Sequence, residues 1–144
     1  MRTNDDIEAY LVQLNLPFEQ IDTGMWVLHD EFENIDNIVI YHTPPVILFR
    51  VKLMELSEID PARRLEFFEK LLVLNTSDMV HGAYGLENNN IVCVDSLQSE
   101  NLDFNEFQAS VESLSLAISS HYSLLKGFRT NPAPSSEDPS LSQG

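Results

Sequence analysis

Apolar side chains recur along this chain in two rhythms, and each change of rhythm marks an element. Near the start, Ile7, Leu11 and Leu14 fall at helical spacing with Tyr10 beside them. Thr3 and Asp6, three positions apart, form a capping box ahead of that run. Pro17 ends it, so a helix of about 11 residues is predicted. The period then shortens to two. β-favouring runs at Phe18–Asp22 and Met25–Asp30, separated by Thr23-Gly24, predict a hairpin. Glu31-Phe32-Glu33-Asn34 then leads to a third strand at 37–42. Pro44-Pro45 breaks that strand, because neither residue has an N–H for a ladder. A fourth, longer strand is predicted at 46–54, and short connections make the four an antiparallel meander.

Asp60-Pro61 places a cap residue before a proline, the signal for a helix at 62–74. Two more strands are predicted at 83–87 and 91–95. Asn88-Asn89-Asn90 supplies a turn tolerant of positive φ between them. Asp103 caps the last helix and Glu106 closes its capping box. Phe107, Val111, Leu114, Ile118, Tyr122 and Leu125 repeat at helical spacing up to a stop at Gly127. From Thr130 the chain turns to proline and serine and holds too little apolar surface to offset its ordering entropy. A folded domain at 1–128 and a disordered Pro/Ser-rich tail at 129–144 are expected. The order α-β-β-β-β-α-β-β-α is that of an α+β fold, an antiparallel sheet of about six strands with helices packed on it.

Two of these elements carry more apolar surface than one core face needs. On the middle helix, Leu65, Phe68 and Leu72 form a stripe expected to face the core. Phe67, Leu71 and Leu74 form a second stripe, roughly 100–150° round the helix. That second stripe must meet another helix of the chain or another copy. On the fourth strand, Ile47, Phe49, Val51 and Leu53 point one way, and Val46, Leu48, Arg50, Lys52 and Met54 the other. Val46, Leu48, Arg50 and Lys52 form a candidate partner-binding patch, unless the long last helix covers them.

Charge narrows the function classes. Eight Lys+Arg stand against 23 Asp+Glu, a net charge of −15 with a sequence pI near 4.3. Such a chain is not built to neutralise phosphates, so neither nucleic acid nor an anionic membrane is an expected partner. No Lys or Arg occurs between Thr3 and Phe49. That acidic surface keeps a protein soluble or steers a basic partner. No apolar run is long enough to span a membrane and the start carries no secretory signal, so a cytoplasmic location is expected.

Candidate chemistry is sparse. A single cysteine excludes a disulfide framework and a multi-cysteine zinc site. Cys93 lies among β-branched neighbours, the setting of a buried structural thiol. His29, His42, His81 and His121 never fall three or four apart. His29-Asp30-Glu31 with Glu33 reads as an acidic hairpin end rather than a metal site. His121 is expected to be partly buried and hydrogen-bonded on the last helix. Gly82 and Gly85 flank too short a segment for a phosphate loop. No catalytic residue, metal or cofactor is expected.

The order of elements resembles the class I type III secretion chaperones, the CesT-like Tir chaperone group, and the related bacterial YbjN-like domains. Leu71-Leu72-Val73-Leu74-Asn75 is similar to the helix end of that group. Gly82-Ala83-Tyr84-Gly85-Leu86-Glu87 and Ile91-Val92-Cys93-Val94 are similar to its following hairpin. Asn101-Leu102-Asp103 through Phe107, Val111, Leu114 and Ala117 resemble its last loop and long helix, and Asp22-Thr23-Gly24-Met25-Trp26 its first hairpin. The resemblance covers about residues 4 to 127. It implies a small acidic homodimer, pairing through the middle helix and neighbouring strands with Phe67, Leu71 and Leu74 at the dimer interface, that holds a client protein along sheet edges and apolar patches without chemistry of its own. The alternative it implies is a YbjN-like regulatory domain contacting signalling or motility proteins.

Overall fold

The computed structural model describes residues 2–30 and 35–130. The expected loop at 31–34 and the chain after Thr130 lie outside the described residues. Local chemistry sets the helix ends. Thr3 accepts from the Asp6 N–H while the Asp6 carboxylate accepts from the Thr3 N–H, and α1 (Asn4–Leu14) starts there. It ends on Asn15 in the left-handed region, φ 61°, ahead of Pro17. β1 (Phe18–Asp22) and β2 (Met25–Asp30) make the predicted hairpin, and β3 (Ile35–Thr43) and β4 (Val46–Glu55) complete the meander. After β4 come two single 3-10 turns, the second opened by Asp60 accepting from the Ala62 N–H, and then α2 (Arg64–Ser77). β5 (Ala83–Glu87) and β6 (Asn90–Gln98) turn on Asn88 and Asn89, with φ of 50° and 63°. α3 (Phe104–Lys126) carries the Asp103–Glu106 capping box. It stops at Gly127 without a left-handed residue, since Gly127 has φ −65°. Replacing Asp103 with Ala is expected to cost about 1 kcal/mol, read as a lowered urea midpoint at constant slope.

The six strands form one antiparallel sheet in the order β1-β2-β3-β4-β6-β5. β4 is therefore central, and its pairing with β6 rather than β5 reverses the direction of growth. The helices gather on the face that carries Trp26, Leu28, Ile38, Ile40, Ile47, Phe49 and Cys93, all fully buried. There Phe49 meets Phe107 of α3 with ring centroids 5.5 Å apart, and Tyr10 of α1 stacks beside Phe107 at 5.5 Å. The opposite face, with Val27, Val39, Val46, Leu48 and Val94, stays partly open.

Alternation along β4 fails at one point. The register shifts between Lys52 and Met54, and Met54 turns into the core instead of outward as expected. One extra residue in a ladder moves every later side chain to the other face. The chain after α3 is tied back to the turns before α2. Ile59 pairs with Arg129, the Asp60 N–H donates to Phe128 O at 2.9 Å, and the Thr130 N–H donates to Glu58 O at 2.9 Å.

Candidate protein-interaction surface

The apolar stripes of α2 are the reverse of the expectation. Phe67, Leu71 and Leu74, expected at a dimer interface, are buried within the chain. Leu65, Leu72 and Val73 face outward, 73%, 65% and 55% exposed, while Phe68 packs against the edge of the core. The two stripes are nearly equal in apolar content, so periodicity alone cannot phase the helix. The phase comes from residues far along the chain. Phe67 sits edge-on to Phe128 at 5.4 Å, and the Arg63 guanidinium lies 4.3 Å above that ring. The returning chain after α3 thus seats the Phe67 side of α2 inward.

Asn75, near the end of α2, fixes the helix to the sheet. Its Oδ1 accepts from the Tyr84 N–H at 2.7 Å and its Nδ2 donates to Tyr84 O at 3.2 Å. These are the outward backbone groups of an edge strand, so the β5 edge is closed at Tyr84. The other edge, β1, carries exposed Glu19, Gln20, Ile21 and Asp22. Pro17 O accepts from the His29 N–H at 2.9 Å, so residue 17 faces β2. Backbone direction alternates along a strand, which turns the Gln20 N–H outward.

The expected patch on β4 does share one face, and register enlarges it. Leu48 pairs with Tyr41 on β3 and Ser96 on β6, and Arg50 with Val39 and Val94. Val27 and Met25 continue the same rows on β2. The long last helix covers the other face, so Val46 and Leu48 are only half-buried. Arg50 bridges to Glu87 at 3.0 Å and Lys52 to Glu55 at 3.2 Å, pairs whose half-exposed setting makes each worth about 0–1 kcal/mol. Sequence periodicity finds the β4 half of this patch. The cross-strand half depends on register, which a single strand does not carry.

Two sets of hydrogen-bonded polar side chains lie inside the domain, around His121 and around His42. Asp78 Oδ2 accepts from His121 Nε2 at 3.0 Å. The proton must therefore sit on Nε2, and Nδ1 accepts from the Tyr84 hydroxyl at 2.7 Å. His121 is buried and hydrogen-bonded as expected. The His121 hydrogen bond, followed by one from Ser77, holds the Asp78 carboxyl below its ordinary range. Burial pushes the Tyr84 hydroxyl far above its usual value, with smaller contributions from Cys93 and Asp78. The Cys93 thiol is buried and pushed up to about 12 by burial, with Asp95 adding to it, so the thiolate is suppressed. His42 is buried, donates from Nδ1 to Asn4 Oδ1 at 2.8 Å, and is shifted down by burial. A cleft of about 490 Å³ at the start of α1 is lined by Arg2, Thr23, Tyr41, His42 and Thr43 among others. No group of three or more His, Cys, Asp or Glu among the described residues is placed to hold a metal ion. No described helix is long and apolar enough to cross a membrane.

A six-stranded antiparallel sheet with helices on one face, in this order, is an α+β fold. Residues 1–131 match the CesT_Tir_1 family, and the chain belongs to it. Among solved structures it is similar to YbjN from E. coli, at 18% identity over 85% of this chain and 93% of that one, with a TM-score of 0.63. It is equally similar to a chain of the heterodimeric ExoU-SpcU complex from the type III secretion system of Pseudomonas aeruginosa. That match has 16% identity over 86% and 98% of the two chains and a TM-score of 0.62. A chain of the ExsC-ExsE complex matches at 13% identity over 87% and 97%, with a TM-score of 0.62. No curated protein matches the sequence.

Proposed function

We propose that this protein is a chaperone-like binding module that holds an extended segment of a client protein and works as a homodimer. The observation that carries the proposal is the asymmetry of the two sheet edges. β5 is closed at Tyr84 by Asn75, whereas β1 offers outward backbone groups along its exposed edge. An extended client segment adds to β1 as a further strand, gaining main-chain hydrogen bonds there. Glu19 and Asp22 on that strand, in a chain of net charge −15, favour a client segment bearing Lys or Arg. The outward stripe Leu65, Leu72 and Val73 supplies the contact with a second copy, in place of Phe67, Leu71 and Leu74. The half-open face with Val46, Leu48, Arg50 and Lys52 gives a further surface to the client. The family and the ExoU-SpcU and ExsC-ExsE complexes among its structural neighbours support this choice. The neighbour YbjN keeps a second proposal, a regulatory domain that contacts a folded signalling or motility protein.

Two substitutions test the proposal. Leu72→Asp is expected to halve the mass measured by light scattering at micromolar concentration while leaving the circular dichroism spectrum unchanged. Gln20→Pro removes one outward N–H without touching the β1–β2 ladder. It is expected to weaken capture of a client from the native host at least tenfold. A monomeric native chain would end the homodimer proposal, and undiminished client capture by Gln20→Pro would end strand addition at β1.

A further inference from the structure

The loop between α2 and β5 is tied to the rest of the domain by two Asp–His pairs of opposite sense. The first is closed. Asp78 of the loop bonds to His121 of α3, and both ring nitrogens of that imidazole are engaged. The second is open. His81 Nδ1 of the loop stands 4.0 Å from Asp95 Oδ2 of β6, too far for a hydrogen bond. Asp95 Oδ1 accepts from the Ser96 N–H at 2.8 Å, but Oδ2 is buried with no hydrogen-bond partner. A buried carboxylate oxygen left without a donor is costly, and the cost remains until a donor arrives.

We propose that proton uptake at His81 latches this loop onto β6 through Asp95. None of the other titratable or charged groups around the pair supplies that donor. On β6 the Cys93 thiol is held neutral. On β5 the Tyr84 hydroxyl is committed to His121, and on α3 His121 is committed to Asp78 and Tyr84, with Leu114 filling the space against Gly82. Lys70 of α2 acts on Asp78, and Arg50 of β4 is paired with Glu87 on the opposite face. A charged imidazole at His81 needs a movement of about 1 Å to reach hydrogen-bond distance. The latched form holds the proton more tightly than the open form. Its population therefore grows as pH falls, and the latch opens as pH rises. The latch orders the loop that carries Val80, a large apolar side chain 83% exposed.

Amide hydrogen exchange of residues 79–84, corrected for intrinsic rates, tests this at pH 5.5 and 7.5. Protection is expected to be at least threefold higher at pH 5.5 in the native chain, and equal at the two pH values in His81→Gln and in Asp95→Asn. Equal protection in the native chain, or a difference that persists in His81→Gln, would overturn the proposal. His81→Gln changes a partly exposed loop side chain, so it decides the matter even if Asp95→Asn folds poorly.

Discussion

Phe67→Ala is expected to destabilise the domain by about 3–5 kcal/mol, whereas Leu65→Ala, two residues away on the same helix, stays within about 0.5 kcal/mol. Phe67 is fully buried, and its ring contacts Phe68 at 5.9 Å and Phe128 at 5.4 Å. Removing it opens a cavity between α2 and the returning chain after α3, where the Asp60–Phe128 and Glu58–Thr130 backbone bonds limit collapse. Leu65 has little to lose within its own chain, where most of its surface lies outside the core, and at a protein concentration low enough to keep the chain monomeric no second copy covers it. Equilibrium urea unfolding of the two variants measures the difference. Equal losses would mean that α2 is rotated from the phase described here.

Gly82→Ala is expected to cost about 3 kcal/mol or more. Gly82 has φ +85°, which a side chain resists. An added Cβ would also stand 2.7 Å from Val94 O and 2.9 Å from Leu114 Cδ2. The first of these is backbone of a central ladder and has no rotamer to change. Gly85, three residues on, is the internal control. Nothing lies within 4 Å of a Cβ there, so Gly85→Ala is expected to be neutral or slightly stabilising. Thermal melting of the pair separates the two effects.

What the sequence makes legible here is what neighbouring residues determine. The ends of β1, β2 and β5, the two capping boxes and the Asn88-Asn89 turn follow from residues within a few positions of each other, and the structure places them as predicted. The family resemblance is also supported by the match over 1–131. What the sequence hides is what distant residues decide. Phe128 sets which side of α2 faces inward, far from the helix it rotates. The pairing of β4 with β6 assembles Val27, Val39, Leu48 and Val94 into one face, and no single strand announces its neighbours. The Tyr84–His121–Asp78 chain joins three elements at sequence separations that no motif spans. His121 alone could be anticipated, from its place beside an apolar stripe.

The strand order has a consequence for the birth of the protein. β1 to β4 can zip together by successive local hairpins as the chain leaves the ribosome, but β4 must wait for α2, β5 and the turn before β6 to emerge. During that interval β4 presents an unpaired edge, with Ile47, Phe49 and Val51 uncovered on the face that α3 will later close. Bare strand edges with apolar flanks are what other chains stick to. A member of a chaperone family thus passes, early in its own life, through a form that itself needs shielding. Slow translation across the α2 codons would prolong that exposure.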